Sequence, residues 1–398
     1  MALVVLGVLW TLWFWPTPFS DFFLYWDEAG GTAAYERGGA GVLVFALVRR
    51  FLSAPQWAAL FVNLSAAVFL LWLFWRCDTT RWRVFAHLGA LYLLLITPYF
   101  ALVQIDLIAT ACLAACWALL LRPPQGWPGW LSWGLGLSLG VAAVSTRPQF
   151  ALTMSVLVGM LVVLWLALDS RRGTKVLLAL SATLALVVAI GFSLDLWARY
   201  AAGTGERVRT SSAVTLYSGL LATEAGSWCG GWTPAASQAA LEDRDKPLST
   251  AMSERLAARP AGHWLGIIQC KLTRVVLLPR PFALFWLAPP GADAVSLDAE
   301  QRRRLDVVEA LRPWERALYR LLTLAIYLGV VVIAIRRRRV GGLALVPIAW
   351  ALSFWLVHLV FEAQERYFLA TIALLPLLSA LVSSVDASRR IQTRTSAS

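Results

Sequence analysis

Charge is scarce in this chain. Only 15% of its 398 residues are Asp, Glu, Lys or Arg, against about 25% in an ordinary soluble domain. Lysine is confined to Lys175, Lys246 and Lys271, so nearly all of the net charge of +12 is arginine. No basic soluble domain exists to carry it, which excludes nucleic acid as a partner. Histidine is limited to His87, His263 and His358, too scattered for a zinc motif. No cofactor is indicated, and a divalent metal is compatible with the acids but not specified by them. The five cysteines form no motif. Cys112 and Cys116 are one turn apart in an apolar run, as packing residues are. Cys229 and Cys270 are free to pair if their region faces an oxidising compartment.

What is abundant is apolar surface: 59% of residues are hydrophobic, mean hydropathy is +0.67, and there are 21 tryptophans. The chain reads as an all-α polytopic membrane protein, with tryptophans at the lipid–water boundary. Runs of about 20 apolar residues predict about ten spans. They fall at 1–19, 56–75, 84–100, 102–121, 127–145, 149–168, 176–197, 317–335, 341–358 and 367–385. The first lacks a basic start and a small-residue cleavage site, so it is expected to be a retained helix.

Arginine and lysine set the expected orientation. Arg76, Arg81, Arg83, Arg122, Arg171, Arg172, Lys175, Arg336 to Arg339, Arg389, Arg390 and Arg394 fall on one face, taken as cytoplasmic. The other face receives loop 20–55, the long 198–316 segment and the short turns at 97–101, 146–148 and 358–366. Three regions follow: 1–197 with the first outer loop, 198–316 as an outer cap, and 317–398 as a closing three-helix module with a cytoplasmic tail. Residues 263–288 are apolar but interrupted by Lys271, Arg274, Arg280 and prolines. They are expected to form an interfacial or re-entrant element.

Three groups of residues carry chemistry. The first outer loop, SDFFLYWDEAGGTAAYERGG, holds Asp21, Asp27 and Glu28 with Tyr25 and Tyr35. On a helix Asp21, Tyr25 and Glu28 share a face, and a carboxylate beside a pocket serves as a general base for a hydroxyl. The second is Asp106, alone in an apolar helix, where an ionised acid costs about 2.5–3.5 kcal/mol. The third is a set of outer-face cations, Arg147, Lys271, Arg274, Arg280 and Arg366, suited to phosphate. Each group also has a structural reading: loop capping, a helix-start acid, or lipid headgroup contact and pairing with Glu362 and Glu365.

These stretches resemble the GT-C fold glycosyltransferases, in particular their protein-mannosyltransferase-like and aminoarabinose-transferase-like members. The resemblance rests on the first-loop acids, on QIDLIATACLAACWALLLR with Asp106, on ERYFLATIALLPLLSAL and on LYSGLLATEAGSWCGGW. The first loop departs from the family in carrying GVLVFALVRRF where many relatives have H-P-P or Y-P-x-Y, which leaves the acceptor class open. The resemblance implies a multi-pass bacterial inner-membrane enzyme of the cell envelope with its site facing the periplasm. It would move a sugar, with inversion, from a polyprenyl-phosphate donor to a hydroxyl of a glycan, lipid or protein. Asp27 or Asp21 would be the base, with Asp106 and Glu28 as supporting acids. Tyr25, Tyr35, Arg147, Lys271, Arg274, Arg280 and Arg366 would bind phosphate or sugar. A transporter or flippase of lipid-linked sugar, or a polysaccharide ligase or polymerase, is the competing expectation.

Overall fold

The computed structural model describes residues 2–13, 15, 21–31, 39–77, 83–121, 126–167, 174–201, 205–221, 230–260, 262–273, 299–337 and 342–395. Among these residues every regular element is helical. In chain order they are α1 (Ala2–Trp13), α2 (Asp21–Ala29), α3 (Gly39–Arg49), α4 (Pro55–Cys77), α5 (Arg83–Leu95), α6 (Asp106–Leu120), α7 (Gly126–Thr146), α8 (Gln149–Ala167), α9 (Thr174–Ala201), α10 (Gly205–Leu221), α11 (Pro234–Glu242), α12 (Leu248–Ala257), α13 (His263–Cys270), α14 (Ala299–Arg337), α15 (Val346–Val360) and α16 (Leu369–Thr395). Short 3-10 turns occupy Thr97–Ala101, Gly342–Leu345 and Glu365–Phe368.

Among the described residues six stretches are long and apolar enough to cross a membrane: Pro55–Arg76, Gln149–Ala167, Val176–Ala201, Arg302–Arg336, Leu343–Val360 and Arg366–Ser383. The molecule is therefore a helical, multi-pass membrane-type protein. Several expected spans take a different form. Of the 1–19 run, Ala2–Trp13 is helical, and residues 1, 14 and 16–19 lie outside the described residues. The 84–100 run stops at Leu95 and tightens into Thr97–Ala101, because Pro98 cannot continue the α-helical ladder. The 102–121 run becomes helical only at Asp106. Residues 127–145 lie in α7, whose glycines and serines keep its hydropathy down.

The unwound stretch between α5 and α6 sits in apolar surroundings, where bare carbonyls are costly. Asn63 of α4 answers this by donating Nδ2 to the carbonyls of Phe100 (2.9 Å) and Leu102 (3.1 Å). Gln104 donates to Asn63 Oδ1 at 3.2 Å and accepts the Asp106 amide at 2.6 Å, taking up one of the free N–H groups at the start of α6.

One apolar core runs from Leu60 to Val382 and joins the first and last thirds of the chain. At its centre is α16, of whose apolar window 94% is buried, packed against α4, α5, α6, α14 and α15. Antiparallel α6 and α7 pack closely because small residues meet: a Cβ on Gly140 would stand 2.8 Å from Cys116 Sγ.

The basic stretch 301–316 is not a loop. It is the first part of α14, which passes through Pro313 without ending. Val308 is buried there beside Val307, Leu311 and Trp10 of α1. Arg304–Glu300 and Arg312–Glu309 pairs, both at 2.9 Å, line its polar side. The division placed at 316/317 thus falls inside one helix.

Helices α10, α11 and α12 build a small cap with its own core around Tyr217 and Met252. Tyr217 donates to Asp243 at 2.9 Å, and Arg255 bonds Asp243 and Glu242 while covering the Tyr217 ring. The Arg255 guanidinium, in first place, holds the Asp243 carboxyl below its usual range. Of the 263–288 element, α13 and a turn at 271–273 are described; Trp264 and Leu265 are exposed on it, and the rest lies outside the described residues.

Candidate functional site

The start of α6, the end of α7 and the turn before α16 meet at one end of the bundle. Asp106 is 5% exposed. Arg147, the residue after α7, donates Nε and Nη2 to Asp106 Oδ1, and Tyr99 donates its hydroxyl to Oδ2 at 2.8 Å. The antiparallel α6–α7 pair makes this meeting possible, since it brings a helix start beside a helix end. The carboxylate is thus fully engaged by a guanidinium and a phenol, an arrangement that offsets the desolvation of both charges.

Arg147 also lies over the Tyr367 ring, 5.5 Å from its centroid, and Arg366 stands 5.4 Å from the same centroid. Two buried guanidinium groups therefore share one aromatic ring. Arg147 is within electrostatic reach of Tyr25 and Arg366 as well as Asp106. Asp106 compensates Arg147, and Arg366 adds a second positive charge beside the same ring, where an anion would face both guanidinium groups.

Tyr367 donates to Glu362 Oε1 at 3.4 Å, and Gln364 donates to the same oxygen. His358, at the end of α15, stacks on Tyr367 and places Nδ1 2.8 Å from the Glu362 carbonyl. A carbonyl only accepts, so the neutral imidazole carries its proton on Nδ1.

The first-loop helix covers this end. Tyr25 and Trp26 of α2 pack with Val42 and Phe45 of α3, Ala58 and Val62 of α4, and Val103, Ile105 and Ile108 around the start of α6. Arg49 fastens α2 by donating to the Trp26 carbonyl at 2.7 Å and lying over the Trp26 ring. Tyr25 and Glu28 are buried, whereas Asp27 is exposed. Asp21 begins the same helix, one turn before Tyr25. Arg49 is thus directed to a backbone carbonyl of the loop.

Lys271 reaches the neighbourhood from the cap side. Its Nζ donates to the carbonyls of Phe361 (2.8 Å) and Leu359 (3.1 Å), and the side chain is 1% exposed. Burial pushes its ammonium down to about 7, with Glu362 acting in the opposite direction. Cys270 beside it is disulfide-bonded, while Cys112 and Cys116 are free.

Of the residues singled out from sequence, Asp106, Arg147, Arg366, Tyr25, Glu28 and Lys271 gather at this end. Asp27 is on the exposed side of α2. The Asp21 side chain, Tyr35, Arg274 and Arg280 lie outside the described residues. Sequence reasoning missed Tyr99, Asn63 and the Tyr367 ring as parts of the network. The available signals were Asn63, the chain's one asparagine, inside an apolar helix and Pro98 as a break before Asp106. It also missed the buried Asp195–Arg199 pair on α9, 2.7 Å apart, which the i, i+4 spacing in DLWAR announces. Among the described residues no group of three or more His, Cys, Asp and Glu is arranged to hold a metal.

Compared with protein-family models, curated proteins and solved structures, the chain matches none.

Proposed function

We propose that the protein is a membrane glycosyltransferase of the GT-C type that uses a polyprenyl-phosphate-linked sugar. The observation that carries this reading is the pair of guanidinium groups, Arg147 and Arg366, on the Tyr367 ring. Buried, held in place and close to an acidic first-loop helix, they suit a phosphate that must stay at the membrane surface while its lipid tail remains in the bilayer.

In this mechanism an acceptor hydroxyl attacks the anomeric carbon, and the bond from that carbon to the phosphate oxygen breaks. Polyprenyl phosphate leaves without a general acid, because phosphate is already a good leaving group. The hydroxyl proton passes to a first-loop carboxylate. Asp21 is the base in this reading, since helical spacing puts it on the strip of α2 that carries Tyr25 and Glu28. Asp27, on the exposed side, is its control. Asp106 acts by holding Arg147. Inversion follows from direct displacement.

The reading includes ten spans, α1, α5, α6 and α7 joining the six that are long and apolar enough alone, in a bacterial inner membrane. The site faces the periplasm. Supporting this, Cys270 is disulfide-bonded, as expected of an oxidising compartment. Arg76, in the last turn of α4, and Arg336, near the end of α14, lie at the far ends of those helices.

Transfer from a panel of labelled polyprenyl-phosphate sugars tests it. Asp21→Asn is expected to lower transfer by about 10²–10⁴-fold, the usual worth of a general base. Asp27→Asn should stay close to wild type. Full transfer by Asp21→Asn would remove it as the base, and no transfer by the wild type from any such donor would overturn the reading.

A further inference from the structure

We propose that Lys271 is a positioning residue: seated in a notch at Gly230, it fixes the connection between α15 and α16 so that Arg366 and Tyr367 stand against Arg147. Its substrate arm rests on the glycosyltransferase reading; its structural arm does not.

The connection is short and irregular. Helix α15 ends at Val360, Phe361 is extended, and residues 362–364 run free of helix until the turn at Glu365–Phe368. Local bonds within it centre on Glu362, which takes Gln364 and Tyr367 on its side chain and His358 on its carbonyl. Three separate pieces of the 198–316 region hold its backbone from outside. Thr215 of α10 accepts the Glu362 amide at 2.8 Å, and Gly230 accepts the Ala363 amide at 3.0 Å. Lys271 takes the carbonyls of Leu359 and Phe361. Two amides after the bend, of Glu362 and Ala363, and two carbonyls before it, of Leu359 and Phe361, are thus answered by the cap.

Two glycines make the approach possible. Gly230 has φ +79, a left-handed conformation that side chains resist, and a Cβ there would lie 2.1 Å from Lys271 Cε. Gly219 faces the end of α15 so closely that a Cβ would meet the Val360 carbonyl oxygen at 2.1 Å. The lysine stem therefore fills a space that only glycine leaves. An ammonium with two carbonyl acceptors satisfies itself on backbone, which separates Lys271 in role from the two arginines on the ring. From Phe361 to Arg366 is five residues, so a shift of the bend moves the Arg366 guanidinium relative to Arg147.

The test uses the full-length protein in nanodiscs, with hydrogen exchange across 359–368 and binding of a polyprenyl monophosphate as separate readouts. Lys271→Met is expected to speed exchange of the Glu362 and Ala363 amides and to weaken polyprenyl monophosphate binding. Each effect should be about ten- to a hundredfold, the scale of hydrogen bonds to a charged group. Lys271→Gln, which keeps two N–H hydrogens, should fall between. Gly230→Ala should reproduce the exchange signature with the lysine still present, and it carries the test if Lys271→Met does not fold. Arg147→Ala should weaken binding without loosening 362–363. Unchanged exchange in Lys271→Met and Gly230→Ala would overturn the proposal. So would faster exchange with binding intact while Arg147→Ala loses it. Absence of binding by the wild type would instead strike the glycosyltransferase reading, leaving the exchange arm to decide whether Lys271 holds the bend.

Discussion

At the scale of single residues, Asp106 and Lys271 show how similar sequence features acquire different roles. Both are ionisable groups in apolar surroundings, and sequence alone gives each a place in a site. Asp106 is neutralised by Arg147 and Tyr99, so removing its charge leaves a buried guanidinium without its partner. Breaking such a pair from one side costs about 3–5 kcal/mol. Asp106→Asn should therefore unfold at markedly lower temperature in detergent. The double variant Asp106→Asn, Arg147→Gln should lose less than the sum of the two single changes, which a thermal-melting cycle measures. Lys271 has no such partner pair, and its pH dependence has a definite sign. Its folded pKa of about 7 is below the ordinary lysine value of 10.5. Between those values the unfolded chain binds more protons than the folded one, so stability rises with pH across that window. The penalty is fully present below about pH 7. Glu362 and His358 are the ionisable neighbours. Lys271→Met leaves both in place, and its stability–pH profile should be flatter between pH 7 and 10.5.

At the scale of elements, the α6–α7 pair sets the site, because Asp106 opens one helix and Arg147 follows the other. Their spacing depends on Gly140, whose missing side chain lets Cys116 and Val187 close in. Overpacking of this kind costs about 1–3 kcal/mol. Gly140→Ala should lower the melting temperature, and adding Cys116→Ala should recover part of the loss by making room at the 2.8 Å contact. If Cys116→Ala gives no recovery, the small-residue seam is not what limits the approach. Helix character was legible along most of the chain from its apolar runs, and the α2 pattern of Asp21, Tyr25 and Glu28 was legible as a helical face. The break before Asp106 was not, because Leu102, Val103 and Ile105 extend the apolar run and only Pro98, Gln104 and Asn63 mark it. The helical state of 301–316 was also hidden. Charge dominates there, but the charges pair along one side while Val307, Val308 and Leu311 pack on Trp10.

At the scale of the whole molecule, the last apolar run of the sequence is the centre of the fold. No periodicity reveals that, since a run that faces protein on all sides and one that faces lipid are equally apolar. The site was partly legible for a related reason: ionisable residues in apolar runs are conspicuous, while the ring and amides that organise them are not. The fold also ties orientation to the site, because Asp106, Arg147, Lys271 and the α10–α12 cap all lie at one end. Exposed tryptophans mark both boundaries, Trp57 and Trp197 near the site end and Trp72 and Trp75 at the other end of α4. If the site end faces outward, a cysteine at the exposed residue Asp245 should react with a membrane-impermeant maleimide in intact cells. A cysteine at Trp75, 81% exposed at the far end of α4, should react only after the membrane is opened. Labelling in the reverse pattern would place the Arg147–Arg366 pair on the cytoplasmic side. The disulfide at Cys270 would then stand in a reducing compartment, and a periplasmic transferase would be ruled out.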